Sequence, residues 1–151
     1  MTADPQAHAV YDAERAAWAR GPLIGITAVS IATLECYANS AAGSSWWTSR
    51  YIIPDHIAID GGFQNDGAET DVSTCSIAFG QGCHTLWVLC HELAHIAWTS
   101  GAVHGPSWAR EYVFIVEHVM GTEAAALLLL EFHRAGVVAA PRIKIMREVA
   151  A

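Results

Sequence analysis

His91-Glu92-Leu93-Ala94-His95 puts two imidazoles and a carboxylate within five residues, inside the run from Thr85 to Trp98. On an α-helix, residues four apart share a face and stand about 6 Å apart along the axis. Two imidazoles so placed can grip one metal ion, while Glu92 leans toward that ion without binding it. A zinc hydrolase needs this combination: neutral imidazole ligands, an open position for water, and a carboxylate to take the water's proton.

The motif requires a helix that turns it away from the core. Stepping about 100° per residue from Leu86 places Leu86, Leu89, Cys90, Leu93, Ile96 and Ala97 on one stripe. His91 and His95 fall nearly opposite, with Glu92 at their flank. The stripe seats the helix, and the histidines face a cleft. Three fixed positions in five also arise by chance, so the downstream sequence matters. Thr99-Ser100-Gly101 signals a turn, and His104-Gly105-Pro106-Ser107-Trp108 begins nine residues after His95. Gly105-Pro106 opens a second apolar-periodic run. Alone, His104 reads equally well as a solvated loop histidine. Coupled to the motif helix, it supplies a third imidazole and leaves the fourth position to water.

The chemistry this implies is hydrolysis of an amide at one zinc ion per chain, held by His91, His95 and His104. Zinc lowers the pKa of its water from about 15.7 toward about 7. Glu92 takes the proton and later delivers it to the leaving amine. Candidates for an additional oxyanion or substrate contact are Tyr112, Arg110 and His84. His84 reaches the metal face only if the helix extends back that far, and otherwise it is a residue at the helix start. Glu117, Glu111 or Glu35 could orient the ligand rings. His8, His56, His118 and His133 lack ligand spacing and read as structural or solvated. A second reading is a zinc-stabilised interaction module without catalysis, whose partners bind around Trp46-Trp47. Cys83 or His84 as fourth ligand would favour it, whereas the intact Glu92 favours the enzyme.

H-E-L-A-H followed by H-G-P-x-aromatic resembles the zinc signature of SprT-like metallopeptidases. In those proteins both histidines of the first motif and that of H-G-P bind zinc. A closer resemblance is to a family of small metallohydrolases of actinobacteria and their phages. They share an early Tyr-x-x-Glu segment (Tyr11-Asp12-Ala13-Glu14), the two histidine motifs, and a closing segment like Val119 to Ala124 and Phe132 to Gly136. Trp108 stands where SprT-like proteins usually carry Phe, which keeps an aromatic anchor. The resemblance implies a small zincin-like α+β domain with a peptide or protein substrate. A short, mostly antiparallel sheet would pack on helices that include the H-E-x-x-H helix, with a buried C-terminal helix. The resemblance also implies that the strand before the motif helix lies at the sheet edge by the cleft, where an extended peptide can add as a strand.

Composition sets the bounds. The 151 residues make one domain, 1–151, large enough for a real core. Apolar residues make up 53%, yet the longest apolar candidate, Ala124 to Leu130, is closed by Glu123 and Glu131. That falls short of the ~18 residues a membrane span requires. Met1 to Pro5 has neither basic nor apolar signal regions, so a cytoplasmic protein is expected. The net charge of −7, with Lys144 the single lysine, argues against nucleic-acid binding. DNA action, known for some SprT-like proteins, is therefore not carried over. Cys36, Cys75, Cys83 and Cys90 are expected as thiols, with Cys90 on the core stripe; Cys75 and Cys83 flank a short strand and could pair in an oxidising setting.

In chain order, residues 5–20 read as a helix stopped by Gly21-Pro22. Leu23 to Thr27 reads as a short strand or lead-in, and Ser30 to Ala42 as a helix. Trp46 and Trp47 sit in a Ser-rich loop, where one packs and the other lines a groove or rests on the first helix. Tyr51 to Ile53 and His56 to Asp60 read as two short strands or one interrupted by Pro54, and Gly61 to Thr74 as an acidic hairpin loop. Ser76 to Gly80 reads as a strand. Pro106 or Ser107 opens a helix to Val119, with Trp108, Tyr112, Ile115, Val116 and Val119 on its apolar side. Gly121 breaks it and Thr122 caps the next helix, which is apolar nearly all round to Ala135 and so belongs in the core, with Gly136 as its stop. Arg142 to Ile145 reads as an edge strand.

Overall fold

The computed structural model describes residues 4, 6–52, 56–98 and 101–141. Its elements are α1 (Ala7–Arg20), α2 (Leu23–Ile26), α3 (Ile31–Ala42), α4 (Ser45–Thr48), β1 (Ala58–Asp60), β2 (Ala68–Asp71), β3 (Ser76–Phe79), α5 (Leu86–Ala97), α6 (Pro106–Met120) and α7 (Thr122–Ala135). The fold is mixed α+β. α1 packs along α7, α7 on α6, and α6 on α5, while β2 and α3 flank α5.

Local chemistry explains most of the helix limits. Thr85 caps α5, its hydroxyl accepting from the Val88 N–H at 3.4 Å, and Ser30 caps α3 through the Thr33 N–H at 3.1 Å. Pro106 occupies the first turn of α6, where its missing N–H costs nothing. Gly136 closes α7 in the left-handed conformation (φ 75°), as only glycine does without strain. Gly121 (φ 99°) is itself the cap between α6 and α7, and Thr122 is the first helical residue and makes no side-chain cap.

The sheet departs from the expected one. Strand order is β1-β3-β2, with β1 parallel and β2 antiparallel to β3, so the sheet is mixed. The strand before the motif helix is therefore central. β1 and β2 are its two edges, and the edge beside α5 is β2, inside the segment expected to be loop. Ile77 and Phe79 of β3 are fully buried, which fixes its register on the core. Gly80 lets the chain at 65–67 lie against the end of β3, because an added Cβ there would stand 1.8 Å from the Asn65 carbonyl oxygen. Its N–H donates to Gly67 O at 2.6 Å, which starts β2. Asn39 ties α3 to the start of β1, donating to Ile57 O at 3.1 Å and accepting from Ile57 N at 2.9 Å.

Other departures have packing causes. Leu23–Ile26 forms a helical turn, not a strand; an added Cβ on Gly25 would stand 2.4 Å from Trp87, so the turn lies directly on α5. Trp46-Trp47 lie on the short helix α4. Trp47 is buried, and Trp46 stacks on His118 of α6 with ring centroids 4.5 Å apart, so it rests on α6 and not on α1. α7 is not buried all round: Ala124, Leu128, Glu131 and Phe132 face inward, while Leu129 and Leu130 are exposed. Tyr51 and Ile52 form no strand; Ile53, Pro54, Thr99, Ser100 and the segment 142–151, with its expected edge strand, lie outside the described residues. All four cysteines are free, and burial pushes the Cys90 thiol up. Among the described residues no helix is long and apolar enough to cross a membrane.

Candidate metal centre

α5 carries His91, Glu92 and His95, and the turn before α6 carries His104. Leu86, Leu89, Cys90, Leu93 and Ile96 seat α5 as its stripe required. The opposite face is covered more than an open cleft demands: His91 is 6% exposed, Glu92 7% and His104 5%. α1 and β2 provide the cover. One ligand atom from each of His91, His95 and His104 lies within 4.8 Å of the others, so this buried group could hold a metal ion.

The nitrogens converge. His91 Nε2 is 3.0 Å from His95 Nε2 and 3.3 Å from His104 Nε2. The Nδ1 atom of His91 lies 2.5 Å from Glu14 Oε1, and that of His104 is held by Asp4 Oδ2. A carboxylate accepts only, so both Nδ1 atoms carry the proton and both Nε2 atoms present lone pairs. Two bare lone pairs facing each other at 3.3 Å repel unless a cation sits between them. Nitrogens bound to tetrahedral zinc at about 2.0–2.1 Å stand roughly 3.3 Å apart. The donor set fits the ion. Trp108, fully buried, backs all three rings, with centroids 4.9 Å from His91, 5.2 Å from His95 and 4.6 Å from His104.

The electrostatics follow from the same contacts. Burial, then the charge of its neighbours His91 and His104, pushes His95 down to about 3, which keeps it neutral. Burial pushes His104 down, and the Asp4 hydrogen bond only partly offsets this. Burial also disfavours the charged form of His91, but the Glu14 carboxylate outweighs it and raises that imidazole's pKa.

The three rings and Glu92 line a cleft of about 490 Å³, with Ala68, Glu69, Thr70 and Val72 on one side and Trp98 and Gly101 to His104 on the other. Glu92 is not part of the ligand group. Its Oε2 accepts from Thr70 Oγ1 at 2.7 Å, so edge strand β2 orients the carboxylate.

The other sequence-derived candidates are placed elsewhere. Tyr112 is fully buried behind His91 and does not line the cleft. Arg110 bonds Glu111 at 2.8 Å and lines a separate groove between α6 and α7. His84 lies before α5, edge-on to Phe79. The ring-orienting carboxylates also differ from those expected. Glu111 is engaged by Arg50, Tyr51 and Arg110, Glu35 is exposed, and Glu117 lies in the α6–α7 groove. Glu14 and Asp4 take that part, and only the Tyr-x-x-Glu segment hinted at either. His8, His56, His118 and His133 are exposed.

No family model matches the chain, and no curated protein or solved structure matches it.

Glu14→Gln tests the outer layer of the site. Metal affinity at pH 8 should fall roughly 10–100-fold, the usual cost of losing a ring-orienting carboxylate. Glu14 raises the His91 pKa, so without its charge the His91 ring of metal-free protein should titrate at lower pH by NMR. An unchanged titration would mean that Glu14 does not control this ring.

Proposed function

We propose that the protein is a zinc-dependent hydrolase of zincin-like, SprT-like kind that cleaves peptide bonds. One observation carries the reading: three convergent imidazoles share a cleft with a carboxylate that is oriented but not part of the ligand group. Zinc held by His91, His95 and His104 would supply a Lewis acid and make water a nucleophile at neutral pH. Glu92 takes the proton of the attacking water and passes it to the leaving nitrogen, and Thr70 holds the carboxylate for that transfer. β2 pairs only with β3 among the described residues, so its outer edge offers N–H and C=O groups to an extended peptide along the cleft. Among the described residues no Lys or Arg lines the cleft, and Glu69 does, which suits neutral or cationic peptides better than nucleic acid. Cytoplasmic location belongs to the same reading.

The alternative, a zinc-stabilised module without catalysis, calls for a fourth protein ligand. Among the described residues neither Cys83 nor His84 joins the three histidines. Trp46, its proposed contact surface, is partly buried on Phe114 and His118.

The test is a mixed peptide library read by mass spectrometry with zinc-loaded protein. Cleavage should appear, vanish with a chelator and return with added zinc. Zinc-loaded protein that cleaves no peptide would overturn the reading.

A further inference from the structure

Water adding to an amide carbonyl moves negative charge onto the carbonyl oxygen, and a donor aimed at that oxygen is commonly worth 10²–10³-fold in rate. The donors expected from the sequence do not reach the cleft: Tyr112 is buried, Arg110 is bound to Glu111, and His84 packs by Phe79. The Thr70 hydroxyl lines the cleft but is committed to Glu92. Among the described residues two side-chain donors remain on the cleft wall, Trp98 and Tyr11. Trp98 lies at the C-terminal end of α5, its ring 5.6 Å from the Arg110 guanidinium and in no ring contact with the ligand histidines.

Tyr11 is placed differently. Its ring stacks on His91 (centroids 5.9 Å apart, planes 15° apart) and stands edge-on to His104 at 5.4 Å. It is 41% exposed, and its hydroxyl makes no hydrogen bond with the described residues. α1 holds it rigidly, because Val10, Ala13 and Ala17 are buried and Glu14, one turn on, bonds the edge of the same His91 ring. One helix face thus fixes His91 by its Nδ1 and presents a free phenol over it.

We infer that Tyr11 is a catalytic residue that donates a hydrogen bond to the oxyanion formed at the scissile carbonyl. The inference rests on the hydrolytic reading above. In that step the water oxygen bonds to the carbonyl carbon, the C=O π pair moves onto oxygen, and Glu92 takes the water's proton. Tyr11 keeps its own proton and shares it as a hydrogen bond. Collapse of the tetrahedral species breaks the C–N bond, and the nitrogen leaves with the proton from Glu92.

The experiment compares wild type with Tyr11→Phe on a peptide the wild type cleaves. The ring is kept, so metal content and melting temperature should not change. The expected result is a kcat lowered roughly 10²–10³-fold with KM within about threefold. Affinity for a phosphonamidate analogue of that peptide, which carries a tetrahedral oxyanion, should fall by a similar factor. Affinity of the uncleaved peptide for Glu92→Gln protein should not change when Tyr11→Phe is added. Full kcat in Tyr11→Phe, or loss of metal with the activity, overturns the inference and leaves the hydrolytic reading standing. A zinc-loaded wild type that cleaves nothing overturns both.

Discussion

Glu92→Gln should keep the metal and the fold and lose hydrolysis by roughly 10²–10⁴-fold, the range of general-base catalysis by a positioned side chain. Glutamine has the shape of glutamate and can still accept the Thr70 hydroxyl through its amide oxygen, so the contact to β2 survives. The amide cannot take a proton from water at neutral pH. Glu92 lies outside the ligand group, so the three imidazoles should bind their ion as before. The measurements are metal content, melting temperature and kcat on one verified peptide. Full activity would remove Glu92 from the proton path. Loss of metal would make it a ligand.

The parts of the site that were legible in sequence are the local ones. The α5 stripe has helical period, and His91, Glu92 and His95 follow from it because four residues nearly close a helical turn. His104 was legible because Gly105-Pro106 marks the start of α6. Asp4 and Glu14 were not legible as partners: they meet His104 and His91 from 100 and 77 residues away, a contact no local pattern encodes. Tyr112 misled for a related reason. Its place on the α6 stripe predicted core, and core is where it lies, so it was out of reach of substrate.

The sheet failed in sequence through its edge. Ala-Glu-Thr-Asp in β2 lacks the β-branched and aromatic run that marks a strand, and pairing with β3 makes it one. The edge position that the resemblance implies for β3 therefore belongs to β2. The same tertiary override folds the β-rich tetrapeptide 23–26 into a helical turn against Trp87. In α7, continuous apolarity suggested full burial, but one face has a helix partner on either side and the other leaves Leu129 and Leu130 in solvent.

His104→Ala should reduce bound zinc from about one per chain to near none after dialysis, because a two-histidine remnant on one helix lacks the third ligand of an open zinc site. The effect should also appear as stability. Zinc at about 1,000 times its dissociation constant stabilises the wild type by roughly 4 kcal/mol, on the order of 10 °C for a chain of this size. That rise should collapse in the variant, while the two proteins differ less without metal. The reason is topological: His91 and His95 belong to α5, but His104 belongs to the turn before α6, so only its ligation ties the two helices through the ion. Zinc retained at full stoichiometry and affinity in His104→Ala would mean that the ion is held without this turn. Wild type that takes up no zinc even when it is supplied would make the three-histidine geometry coincidental, and an interaction module would then have to stand without a metal.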